Sequence, residues 1–141
     1  MALYFEKYPG VKEYMETTKE AASQNGYVET LFGRRLYLRD INASNAVRRQ
    51  ASERVAINAP VQGTAADIMK IAMIEMHRSI QEEKVEAKLI LQVHDELILD
   101  TPKQEIDDVI NLITSSMMGA ADLDVPLEID IGIGDNWDQA H

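Results

Sequence analysis

The chain has 141 residues, 45% of them hydrophobic, which is enough for one sizeable core, so a single unit spanning residues 1–141 is expected. It contains no cysteine, which excludes a disulfide framework and thiolate metal sites and leaves carboxylates to carry any metal. No apolar run is long enough to span a bilayer, and the start Met-Ala-Leu-Tyr-Phe-Glu-Lys lacks the basic-then-apolar order of a signal peptide, so a cytoplasmic protein without a membrane partner is expected.

The formal net charge of −10 argues against a polyanionic partner, but its distribution argues the other way. Arg34, Arg35, Arg39, Arg48, Arg49 and Arg54 share a stretch in which Asp40 and Glu53 are the only acids, whereas from Asp95 onward Lys103 is the only Lys or Arg. One patch is thus suited to phosphate and the rest to solvent or metal; arginines that merely solubilise helices are the alternative.

From the start of the chain, Phe5, Tyr8, Val11, Tyr14, Met15 and Thr18 follow helical spacing through Gln24. Pro9 is acceptable where the helix restarts, and Gly26 is a natural stop. The aromatic stripe reads as core packing. Tyr27–Leu31 and Arg35–Leu38 flank Phe32-Gly33-Arg34, which predicts a small hairpin with glycine at the positive-φ position. Asn42 or Ser44 is placed to cap a helix running towards Asn58, and Pro60 opens the next helix after a break. Arg54 and Asn58 lie four residues apart on one helical face, with Gln62 just beyond the break.

From Pro60 to Glu83, Ala65, Ile68, Met69, Ala72, Met73, Met76 and Ile80 form a broad apolar stripe, while His77 reads as a surface residue. The run Lys88-Leu-Ile-Leu-Gln-Val-His-Asp-Glu-Leu-Ile-Leu-Asp100 puts polar side chains between two apolar segments of strand length. It predicts a hairpin turning at His94-Asp95, two residue types that tolerate the left-handed region where glycine is usual. Such a tip is either a solvated turn or a site of chemistry.

Thr101-Pro-Lys-Gln104 has the form of a capping box ahead of a helix over Lys103–Met118, stopped by Gly119. Leu127, Ile129, Ile131 and Ile133 alternate with polar or small residues, as in a half-buried strand. The expected fold is α+β: a small antiparallel sheet of Lys88–Val93, Glu96–Thr101 and Leu127–Gly134, backed by helices at Pro60–Glu83 and Lys103–Met118, with N-terminal helices reaching outward.

Gln92-Val-His-Asp-Glu-Leu97 resembles the motif of the family A DNA polymerases, the bacterial DNA polymerase I type. Tyr27–Leu38, Glu53–Asp67 and the closing Asp135-Asn-Trp-Asp-Gln-Ala-His141 resemble further segments of that family in the same order, so the match runs from about Tyr4 to the last residue. The resemblance implies template-directed nucleotidyl transfer on a palm-type sheet with two magnesium ions, in DNA replication and repair. It implies that Asp95 is a metal ligand, that Glu96 supports the metal site and that His94 lies against the primer terminus. It further implies that Arg54, Asn58 and Gln62 reach the minor groove of the primer–template and that Arg34 and Arg35 approach the DNA backbone. Minor-groove acceptors are present whichever base pair is there, so such donors test pair geometry without reading sequence.

The family's other metal-binding aspartate and its triphosphate-gripping Lys and Arg belong to segments that do not occur in these 141 residues. The chain therefore resembles the C-terminal part of a polymerase domain, supplying one side of the magnesium site, and is expected to be inactive alone. Its partners would be primer–template DNA, deoxynucleoside triphosphates in the complete enzyme and, if the polymerase is split, a separate N-terminal polymerase fragment. Asp67, Asp100 and Asp130 are not obviously placed to share a metal with Asp95. The rival readings are a non-catalytic DNA-binding fragment or split-polymerase subunit, and an unrelated metal-dependent phosphoesterase.

Overall fold

The computed structural model describes residues 2–141. Helix α1 (Ala2–Lys7) is followed by α2 (Pro9–Asn25), with Pro9 in the first turn, where its missing N–H costs nothing. Gly26 ends α2 at φ 78°, donating its N–H to Ala22 O at 2.8 Å. Strands β1 (Tyr27–Glu29) and β2 (Arg35–Tyr37) form the expected hairpin, with Gly33 at φ 79°. Long helix α3 (Ala46–Glu83) precedes β3 (Lys88–Val93) and β4 (Glu96–Asp100). A 3₁₀ turn (Lys103–Glu105), α4 (Ile106–Met118) and the short α5 (Trp137–Ala140) complete the described elements.

The α+β class stands, and the described residues divide into two compact units, one ending at Ala65 and one running Ala66–His141. The first has a small core of Ala22, Val28, Leu38, Ile41 and Ala56. The second packs Met76 and Ile80 of α3 with Ala87, Val109 and Leu112, and Leu89, Leu97 and Leu99 close against them. That cluster lays the β3–β4 ribbon on helices, and most of its members are those the helical stripes and apolar runs mark out.

Several expectations need correction. Pro60 does not break the helix: α3 runs through it. Proline removes one backbone donor, and a helix anchored by packing on both sides tolerates that loss. The cap is neither Asn42 nor Ser44 but Asn45, whose Oδ1 accepts from Val47 N at 2.9 Å and Arg48 N at 3.2 Å. Asn42 instead bonds Ser23, receiving the Ser23 hydroxyl at 2.6 Å and donating to Ser23 O at 2.8 Å. The capping box at Thr101–Gln104 does not form, because the chain enters α4 through the 3₁₀ turn and Glu105 accepts from Glu86 N at 2.8 Å.

The third strand is likewise not formed: among the described residues each sheet has two strands, and Leu127–Gly134 pairs with neither. Leu127 and Ile129 are half-buried, but Ile131 and Ile133 are exposed, so the alternation loses its buried side halfway along. Gly132 and Gly134 lie against the Ala140 backbone, where a Cβ would collide, which commits this end of the segment to a turn. The aromatic stripe is also not core: Tyr8, Val11 and Tyr14 are exposed, Phe5, Met15 and Thr18 are only half-buried, and Ala22 is the buried residue of α2.

Asn45→Ala should therefore lower stability by about 1 kcal/mol, the usual worth of a helix N-cap, while Ser44→Ala changes it little. Urea unfolding of the two variants checks this, and equal loss from both would show that the cap is shared.

Candidate functional site

Turn geometry positions the hairpin tip. Val93 pairs with Glu96, leaving His94-Asp95 as a two-residue turn, and His94 takes φ 52° while Asp95 stays at negative φ. Gln92 Nε2 donates to His94 O at 3.1 Å, bracing the turn from the strand beside it. Left-handed backbone in a residue with a Cβ costs roughly 1–2 kcal/mol, so His94 occupies a place where glycine is the cheaper choice. His94 and Asp95 are exposed and Glu96 is half-buried.

A β-bulge decides which face the tip belongs to. Leu89 pairs with Leu99 but Leu91 with Ile98, so Ile90 is an extra residue in β3. Cross-strand partners share a face, so Leu91 and Val93 lie with Ile98 and Glu96, opposite the core-packed Leu97 and Leu99. Without the bulge, simple alternation would put Leu91 and Val93 on the core face with Leu89.

The donor chemistry is suited to a hard cation: Asp95 and Glu96, consecutive in the chain, each offer carboxylate oxygens. The two are an incomplete set, since no group of three or more His, Asp or Glu side chains able to hold a metal occurs among the described residues. Asp67 lies within α3, Asp100 ends β4, and Asp130 is in the unpaired segment. Glu96 already has a partner that sequence reading missed, His141, whose Nδ1 is 3.0 Å from Glu96 Oε1. The two lie too far apart in the chain to leave a local signal.

The unbroken α3 places Arg54, Asn58 and Gln62 at i, i+4 and i+8 of one helix, so all three share a face, where the expected break would have set Gln62 apart. All three are exposed. Arg34 and Arg35 are exposed as well but hold protein partners. Arg34 Nη2 donates to Gly63 O at 3.0 Å, and Leu31 N donates to Thr64 Oγ1 at 2.9 Å, docking the β1–β2 loop on α3. Gly63 permits this approach, since a Cβ there would come within 2.6 Å of Thr30 Cγ2. Arg35 pairs with Glu29 at 2.6 Å and lies over the Tyr27 ring at 4.5 Å. The Glu29 hydrogen bond, aided by Tyr27 and Tyr37, holds its guanidinium above the ordinary arginine value.

Arg48 and Arg49 are also matched by acids, Asp40 at 2.8 Å and Glu53 at 3.9 Å. His77 is exposed, as expected, with Gln81 Nε2 3.1 Å from its Nε2. A cavity of about 260 Å³ lies against Tyr14, Thr18, Tyr27, Glu29 and Pro60, and none of the expected site residues lines it. No helix among the described residues is long and apolar enough to cross a membrane.

A hairpin tip carrying adjacent carboxylates and a helix carrying a row of long polar donors are thus both present in the structure. The chain belongs to DNA polymerase family A, whose family model matches residues 1–139. It is 54% identical over 138 residues to DNA polymerase I of Pseudomonas aeruginosa, covering 98% of this chain and 15% of that protein. It is 48% identical over 134 residues to the thermostable DNA polymerase I of Thermus thermophilus, covering 95% of this chain and 16% of that protein. Among solved structures, the POL domain of Pol1 from M. smegmatis, in complex with DNA primer-template and dNTP, matches with a TM-score of 0.95 at 42% identity. That match covers 97% of this chain and 24% of that one. The chain thus spans about 15% of the length of the curated relatives it matches. Family membership disfavours an unrelated phosphoesterase.

The left-handed tip is testable on its own. His94→Gly should match or exceed the parent in urea unfolding, whereas His94→Val should be less stable than the parent, because a β-branched residue is disfavoured in this region more strongly than histidine. Indistinguishable midpoints for the two variants would remove the backbone constraint.

Proposed function

We propose that the chain supplies the C-terminal palm and adjoining helices of a DNA-directed DNA polymerase, acting in cytoplasmic DNA replication and repair. The observation that carries the reading is the tip itself: Asp95 in a two-residue turn held by left-handed His94, with Glu96 opening the next strand. Asp95 would hold magnesium, Glu96 would support the same ion, and His94 would lie against the primer terminus. When bound, magnesium activates the attacking 3′-hydroxyl and neutralises the leaving oxygen in such sites. The two carboxylates constitute one side of that site. The Pol1 structure from M. smegmatis holds primer-template and dNTP, and we extend both partners to this chain.

Asp95 would act by charge and position, exposed at the end of the β3–β4 ribbon. The row Arg54, Asn58 and Gln62 would lie along the minor groove, donating to acceptors common to every base pair. Arg34 and Arg35 would face the DNA backbone, since a guanidinium presents several donors in one plane and so suits phosphate. The second metal aspartate and the triphosphate-binding side chains would come from other polymerase sequence, on the same polypeptide or on a separate fragment.

Primer extension tests the reading. The purified 141-residue chain should extend no primer with magnesium and four triphosphates, and an assembly that includes the remaining polymerase segments should. In that assembly Asp95→Asn should cut incorporation by roughly the 10²–10³-fold typical of losing one electrostatic contact to the transition state, with DNA affinity changed only a few-fold. Ordinary incorporation rates in the Asp95→Asn variant would remove this residue from the mechanism.

The donor row makes a separate prediction. Arg54→Ala or Gln62→Ala should each weaken extension from paired primers by about 1–3 kcal/mol, the cost of a hydrogen bond lost to a desolvated partner. Equal effects across all terminal base pairs would fit minor-groove geometry testing, and strong sequence dependence would contradict it.

A further inference from the structure

The closing segment Gly132–His141 is the part of the recognised sequence pattern that nucleotidyl transfer leaves without a task. It is a built turn. Asn136 Oδ1 accepts from Gln139 N at 3.1 Å, and Asp135 N donates to Gln139 Oε1 at 3.1 Å. Ala140 N donates to Asn136 O at 3.2 Å. Gly132 and Gly134 lie so close to this turn that a Cβ on either would meet backbone atoms of Ala140.

Two contacts tie the turn down. Lys103 Nζ lies 2.9 Å from Asp135 Oδ1, and His141 Nδ1 lies 3.0 Å from Glu96 Oε1. Glu96 opens β4 and Lys103 follows its end, so the two anchors flank the strand whose first residue carries the tip's half-buried carboxylate. Each anchor has an exposed partner and is by itself weak. Joined through an internally bonded turn, they are not independent, because the first holds the second at high effective concentration.

We propose that Gly132–His141 is a strap that fixes the orientation of the Glu96 carboxylate, with His141 as its positioning residue. His141 donates from Nδ1 to Oε1 and leaves Oε2 for whatever the tip binds. A glutamate otherwise free to rotate about its side-chain bonds is thereby restricted before any ligand arrives, which lowers the ordering cost of binding. The strap's effect on metal rests on the polymerase reading; its effect on Glu96 does not.

The test uses the full 141-residue chain and two readouts by NMR. The first, without metal, is the Glu96 side-chain carboxyl shift and the amide shifts of His94–Glu96. His141→Ala should move them while leaving Leu97 and Leu99 in place. Asp135→Asn should move them in the same direction by less. His141→Asn, whose Nδ2 stands near the position of Nδ1, should restore them towards the parent. The second readout is paramagnetic broadening of the same amides by Mn²⁺. His141→Ala should raise the concentration for half-broadening roughly two- to fivefold, the span of an exposed charged pair, and His141→Asn should recover most of it. Unchanged Glu96 shifts in His141→Ala would overturn the strap, as would identical shifts in the Ala and Asn variants. Absence of Mn²⁺ broadening at Asp95 and Glu96 in the parent would count against the metal site; the metal-free shifts would still decide the strap.

Discussion

The pairing of Val93 with Glu96 is the constraint from which the site follows. It leaves only two residues to reverse the chain, and a reversal that tight requires positive φ in the first of them, which His94 supplies. Asp95 is then held at the apex of the ribbon and Glu96 at the first position of the returning strand. The rest of the ribbon keeps that pairing in register through Leu89, Leu97 and Leu99, which bury against Met76, Ile80, Val109 and Leu112. A slip of one residue would turn these leucines to solvent and move the carboxylates off the tip, so packing protects the geometry of the site. His94 meets a backbone demand as well as any chemical one, and a position of that kind is where stability and function compete.

Helix α3 imposes a similar discipline on the donor row. Its 38 residues contribute Ala56 to one core and Met76 and Ile80 to the other, so each half is fastened by burial. Fastening of that kind lets Pro60 sit inside the helix, and an unbroken helix is what keeps Gln62 in line with Arg54 and Asn58. Close by, Gly63 admits the β1–β2 loop and Arg34 bonds its carbonyl, so a residue type suited to phosphate is also a structural clasp. Arg35 is held in the same way by Glu29 and Tyr27. The basic character of this stretch is therefore less than its arginine count implies, because Glu29, Asp40 and Glu53 each answer one of the cations.

Much was legible from residues alone where the determinant is local. Glycine at positions 26 and 33, proline at position 9 and the apolar runs around His94-Asp95 each specify a backbone state within a few neighbours, and the helices, the two hairpins and the tip follow from them. The polymerase motif around Asp95 carried the family for the same reason: its residues are contiguous, and the comparison with DNA polymerase family A needs no contact to be known.

What only the tertiary structure decided depends on partners distant in sequence. The continuity of α3 through Pro60 is set by burial on both sides of the proline. The alternating run at Leu127–Gly134 becomes a strand only if a neighbour offers its backbone, and among the described residues none does. The bulge at Ile90 follows from how two strands pair over a core, and nothing in β3 alone marks it. The aromatic row of the first helices has helical spacing whether or not a layer covers it, so periodicity could not tell core from surface. The meeting of His141 with Glu96 joins residues 45 positions apart, and a side-chain contact across that distance has no signature in the order of the residues.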